Sequence, residues 1–100
     1  MDIFQVLAEP RRRNIVEMLA TRGSLTATAI SDRFNVSPPA ISQHLKVLLD
    51  AHLVRMEKQG RERIYDINPE AMDKYQEWFK KVHKMYTERF DRLDLLLKRR

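Results

Sequence analysis

Residues 26–50 read TATAISDRFNVSPPAISQHLKVLLD, and the fold turns on how this stretch divides. Thr26 suits the N-cap of a helix, because its hydroxyl can accept one of the first free backbone N–H groups. A short helix is expected from Thr26 to Phe34, with Ile30 and Phe34 four residues apart on one face. Asn35-Val36-Ser37 is the break, since Asn tolerates the left-handed backbone a sharp turn can need. Ser37 then caps a second helix whose first position is Pro38, where the missing N–H costs nothing. Ile41, Leu45 and Leu48 form one stripe along that helix, which should end near Asp50. Ile30, Phe34, Val36, Ile41 and Leu45 would pack the two helices on each other and hold the second at an angle from which its other face projects.

Upstream, Asp2 to Ala8 carries Ile3, Phe4 and Leu7 at helical spacing. A second helix begins near Pro10, bears Ile15, Val16 and Leu19, and stops at Gly23. Downstream, the runs Leu53–Lys58 and Arg61–Ile67 flank Gln59-Gly60, with Val54 and Met56 alternating on one and Tyr65 and Ile67 on the other. Gly60 supplies the positive φ of a tight hairpin. Asn68-Pro69 is a cap and first-turn proline, and a helical pattern without another glycine or proline follows. The expected fold is mainly α with a small β-hairpin: a winged helix-turn-helix with a long C-terminal dimerisation helix. Residues 1–100 form one domain, with core and wing at 2–67 and the last helix at 69–97.

The chain has 19 Lys and Arg against 14 Asp and Glu, a formal charge of +5, which favours polyanionic partners. It has no cysteine, which excludes disulfides, thiolate nucleophiles and thiolate metal sites. No apolar run approaches a membrane span, and Met1-Asp2-Ile3-Phe4 lacks the basic start of a signal peptide, so a soluble cytoplasmic protein is expected. No nucleophile–base pattern or glycine-rich phosphate loop is present, so no catalytic residue and no enzyme activity are expected.

At 100° per residue, the face of the second helix opposite Ile41 and Leu45 holds Pro39, Gln43 and Lys46, flanked by Ala40 and Ser42. Gln43 can pair bidentately with an adenine edge, Ser42 can donate or accept, and Pro39 and Ala40 are small enough to approach a thymine methyl. Ser37, Pro38 and the amides at the helix start are placed for a phosphate, and Lys46 for a phosphate or a guanine. His44 lies nearer the buried edge, where a packed ring and a phosphate contact are both open. Lys58, Gln59, Arg61 and Arg63 surround the hairpin turn, as suits backbone or minor-groove contact with double-stranded DNA. A basic hairpin can also simply keep its edge soluble. Arg11-Arg12-Arg13 is expected on the solvent side of its helix, with one arginine able to reach a phosphate.

The order and spacing of several stretches resemble the ArsR/SmtB family of bacterial winged-helix repressors over about residues 2 to 70. They are Leu7-Ala8-Glu9-Pro10-Arg11 through Val16, Ala29-Ile30-Ser31-Asp32-Arg33-Phe34-Asn35-Val36-Ser37, Ile41-Ser42-Gln43-His44-Leu45-Lys46-Val47-Leu48, and Gly60-Arg61-Glu62-Arg63-Ile64-Tyr65. The resemblance implies a homodimeric, sequence-specific transcriptional regulator, usually a repressor, that is nucleoid-associated when DNA-bound. Many members sense metals through cysteines on the first helix of the helix-turn-helix, but here that helix reads Thr28-Ala29-Ile30-Ser31-Asp32. A second family site uses Asp, His and Glu on the C-terminal helix. This chain offers Asp73, Glu77, His83, Glu88, Asp91 and Asp94 there, with one histidine and no two-histidine ligand pair. No metal and no cofactor are expected, and the chain resembles the family's metal-free branch.

The last helix, about 43 Å long, is apolar along Met72, Tyr75, Trp78, Phe79, Val82, Tyr86 and Phe90, continuing to Leu93 and Leu97. The spacing alternates three and four, as a helix-packing seam does. Burial against the same helix of a second copy, with Ile3, Phe4 and Leu7 alongside, would cover it symmetrically. Lys98-Arg99-Arg100 would complement the helix dipole. The alternative readings are a protein-interaction module on a winged-helix scaffold, and a regulator that senses a metal or small ligand at this seam.

Overall fold

The computed structural model describes residues 2–98. Its contacts divide the chain into two compact units, residues 1–69 and residues 70–100.

The first unit begins with α1 (Ile3–Ala8), capped by a reciprocal pair in which Asp2 Oδ1 accepts from the Gln5 N–H and Gln5 Oε1 accepts from the Asp2 N–H, each at 2.9 Å. A one-residue break at Glu9 leads into α2 (Pro10–Arg22), whose start Glu9 caps through the Arg11 N–H. Gly23 ends α2 at φ +82, donating its N–H to the Leu19 carbonyl at 2.8 Å. A two-residue strand, β1 (Leu25–Thr26), then precedes α3 (Ala27–Ser31). Thr26 does cap α3, accepting from the Ala29 N–H at 3.1 Å. The helix stops three residues short of the expected Phe34, because Arg33 and Phe34 donate to the carbonyls of Ile30 and Ser31 and tighten the chain into i→i+3 turns. Asn35 needs no left-handed backbone; among the described non-glycine residues positive φ falls at His52.

His52 closes α4 (Pro38–Asp50). At φ +61 it occupies the place usually held by glycine in a Schellman motif. Its N–H donates to Leu49 at 3.0 Å, and the Leu53 N–H reaches back to Leu48 at 3.1 Å. Leu48 and Leu53, the hydrophobic pair of that motif, are fully buried. Asn68 braces the turn, donating its side-chain amide to the His52 carbonyl and its backbone N–H to Leu53.

β2 (Val54–Gln59) and β3 (Glu62–Ile67) pair antiparallel from Val54 opposite Ile67 to Gln59 opposite Glu62. The loop is therefore Gly60-Arg61, one residue further along than expected. Positive φ at Gly60 alone gives the type II′ pattern, whose twist matches a hairpin. β1 adds a third strand on the far side of β3, with Leu25 opposite Tyr65 and Thr26 opposite Ile64. Two residues are too few to show an alternation in sequence.

The core gathers Val6, Ile15, Leu19, Ile30, Ile41, Leu45, Leu48, Leu53 and Val54, with Tyr65 at 6% exposure. Each such side chain contributes about 1.5–3 kcal/mol by leaving water. α2 packs on α4 and β3, and α3 on α4, so α4 is fixed from two sides. Phe34 and Val36, expected at this contact, are only half-buried because they lie in the turn.

The second unit is α5 (Pro69–Lys98), 30 residues long, or about 45 Å. None of its described side chains is buried. Arg99 and Arg100 of the expected basic end lie outside the described residues; Lys98 pairs with Asp94 at 2.9 Å.

Candidate nucleic-acid interface

α4 starts on Ser37 as N-cap, but through its backbone: the Ser37 carbonyl accepts from Ala40 at 3.0 Å and Ile41 at 3.2 Å. Its hydroxyl makes no capping bond. This corrects the expected amide cradle. Pro38 and Pro39 have no N–H, and Ala40's is committed, so the first turn offers a phosphate the Ser37 hydroxyl and little else. Ile41, Leu45 and Leu48 point inward, while Pro38, Pro39, Ser42, Gln43 and Lys46 are exposed. Ala40 and His44 are half-buried at the two edges, and the His44 ring makes no hydrogen bond among the described residues. Asp50 joins the exposed face one turn beyond Lys46.

Strand register sorts the wing. Lys58 stands opposite Arg63, on the face that carries Met56 and Tyr65. Gln59 stands opposite Glu62, so it shares the other face with Glu57 and Asp66. There the Asp66 carboxylate accepts from the Ser24 hydroxyl at 2.7 Å. The hairpin is thus basic on one side and mixed on the other, with Arg61 at the tip. The basic side and the exposed side of α4 border one groove of about 660 Å³, lined among others by Ser42, Gln43, Lys46, Met56, Arg63 and Tyr65. Sequence reasoning had placed Met56 and Tyr65 only in the strand pattern. Their place in the groove follows from the register, which sequence does not specify.

Of the three arginines on α2, Arg12 is structural. Its Nε donates to the Val6 carbonyl at 2.6 Å and its Nη2 to Gln5 at 3.4 Å, capping the end of α1. Arg11 lies 3.8 Å from Glu9, and Arg13 is exposed. In α1, Ile3 is 9% exposed and cannot serve a surface contact, whereas Phe4 is 54% exposed and Leu7 half-buried. α5 displays Trp78, Phe79, Met85, Tyr86 and Phe90 at 44–57% exposure, with Met72, Tyr75 and Val82 half-buried. His83 stands edge-on to Tyr86 at 5.0 Å, and Tyr86 to Phe90 at 6.0 Å. Among the described residues no cluster of His, Asp and Glu is arranged to hold a metal ion. No helix of the described residues is long and apolar enough to cross a membrane.

Residues 2–57, α1 through most of β2, match a helix-turn-helix domain family. An arsenical resistance operon repressor from Staphylococcus xylosus is 37% identical over 71 residues, which cover 71% of this chain and 67% of that protein. A crystal structure of an ArsR family transcriptional regulator superposes with a TM-score of 0.74 at 31% identity, covering 84% of this chain and 86% of that one. The chain belongs to the ArsR family. It is a DNA-binding transcriptional regulator built on a winged helix-turn-helix. A further likeness is to the solution structure of a homodimeric winged helix-turn-helix DNA-binding domain from Mycobacterium bovis, with a TM-score of 0.64 at 25% identity, covering 80% of this chain and 73% of that one. In this ArsR-family protein the matched residues carry α4 and most of β2, and β3 and α5 follow them in sequence.

Proposed function

We propose that the protein acts as a cytoplasmic homodimer that occupies a pseudo-palindromic operator and represses transcription from it. The observation that carries this reading is the groove where the exposed face of α4 meets the basic face of the hairpin. α4 enters the major groove and reads bases with Gln43 and Ser42, while Arg61, Lys58 and Arg63 neutralise backbone phosphates. Gln59, on the other face, contributes at most from the tip. One α4 reads a half-site only. The exposed aromatic side of α5, with Phe4, supplies the contact between two copies, as a symmetric interface can. The homodimeric relative supports this assembly.

The protein does its work without catalysis, cofactor or metal. One relative is named an arsenical resistance operon repressor, but this chain has no cysteine with which to build a thiolate site for a soft ion. Selection of bound duplexes from random DNA, with and without divalent metal, tests the whole reading. The expected result is an inverted repeat with half-sites one or more helical turns apart, enriched equally in both arms. Release by metal would overturn the metal-free assignment, and no enriched motif at physiological salt would favour a protein-interaction module.

A further inference from the structure

A helix in the major groove and a hairpin over the adjoining minor groove straddle one sugar–phosphate strand, because that strand is what separates the two grooves. Here the space between them is the groove bordered by Ser42, Gln43 and Lys46 on α4 and by Met56, Arg63 and Tyr65 on the sheet. Tyr65 is its least expected member. The ring is a core group, 6% exposed, with Leu25 opposite it on one side and Met56 on the other. A tyrosine buried to this degree ordinarily finds a partner for its O–H. This one makes no hydrogen bond among the described residues. Yet no enclosed side-chain oxygen of the described residues is left without a partner. The hydroxyl is therefore not fully enclosed, and Tyr65 is among the residues that line the groove. Lys46 and Arg63, exposed and without an ion pair among the described residues, face the same space. Asp50 makes the far end of the groove unfavourable to an anion, which concentrates the positive potential between Ser42 and Arg63.

We propose that this groove seats a DNA backbone phosphate, with the Tyr65 hydroxyl donating to a phosphate oxygen from the floor and Lys46 and Arg63 flanking it. The proposal rests on the DNA-binding reading and adds to it a neutral, sequence-independent contact from a residue that otherwise belongs to the core. A donor fixed by a buried ring loses little freedom on binding, unlike a lysine on a flexible stem.

Tyr65→Phe removes one oxygen and keeps the ring. Its affinity for DNA should fall about tenfold per subunit, by the same factor on operator and on random duplex. The slope of log K against log salt should stay at the wild-type value, because no cation is lost. The thermal midpoint should be unchanged or higher, since the free protein loses no hydrogen bond. Neutral methylphosphonates substituted one at a time should reveal one position per half-site where both proteins lose affinity through Lys46 and Arg63, and where wild type loses about that same factor more than Tyr65→Phe does. Wild-type binding by Tyr65→Phe, a loss confined to operator, or a loss accompanied by a lower midpoint would each overturn the proposal while leaving the DNA-binding reading intact. A wild-type protein that bound no duplex would overturn both.

Discussion

Arg63→Thr should leave the free protein slightly more stable and make it a poorer DNA binder. In the hairpin, Lys58 stands directly opposite Arg63. Side chains so placed have Cβ atoms about 4.5–5.5 Å apart, and like charges there repel by roughly 0.2–1 kcal/mol. Both groups are exposed, so water and salt hold the penalty near about 0.3 kcal/mol. Threonine puts a β-branched side chain, which a strand favours, in place of the arginine, so removing the charge should raise the melting midpoint by about 1–2 °C. DNA binding moves the other way. Each phosphate contact contributes a slope of about −0.9 in log K against log salt, and a dimer loses two contacts, so the slope should flatten by about 1.8. Between about 50 and 200 mM salt, wild type should lose about 12-fold more affinity than the variant. Anisotropy titrations over a salt series, with melts of the free proteins, measure both numbers. An unchanged slope would refute the phosphate contact. A lower midpoint would refute the cross-strand repulsion.

Gln43→Ala should cost about 1–3 kcal/mol on operator and little on random duplex, so competition between the two DNAs should show specificity falling while salt dependence holds. Phe79→Glu combined with Phe90→Glu places carboxylates on the exposed side of α5. Sedimentation should show monomer, with operator binding lost at concentrations where wild type is paired; a variant that stayed dimeric would move the interface elsewhere. His52→Gly relieves a left-handed non-glycine residue and should add about 0.5–1 kcal/mol. The denaturant midpoint should rise at constant m, and a fall would mean that the histidine side chain stabilises the turn.

α4 was legible because several local signals agree there: Ser37, Pro38 and a 41–45–48 stripe all name the same helix. The hairpin was legible from Gly60 and two alternations. Its loop lies one residue off, yet Val54, Met56, Tyr65 and Ile67 still share a face, because face depends on parity and a register slip of two preserves it. Three features were not legible. β1 is too short for any period and exists only because β3 offers it a partner. Asn35 looked suited to a left-handed turn, but Ser31 and Ile30 satisfy that turn with ordinary backbone. The left-handed residue is His52, required by the reversal from α4 into β2, which no local preference of histidine announces. In the candidate site, residue types pointed to the reading face of α4. Only register could show that Lys58 shares the hairpin face of Arg63 while Gln59 takes the other, and only burial and hydrogen bonding could show that Arg12 and Ile3 are engaged internally.

Three residues, Ala51 to Leu53, connect α4 to the hairpin, and the helix end, the turn and Asn68 are bonded together there. Helix and wing thus behave as one jaw of a caliper, too stiff for a signal to bend cheaply. In a paired assembly the adjustable dimension is the gap between jaws, which must match about 34–36 Å of duplex per turn. An effector that widens the gap by a few ångströms would throw the instrument out of gauge without touching a single residue that meets DNA. Genetic screens for unresponsive variants should therefore yield changes in the contact between two copies more often than in α4 or the hairpin.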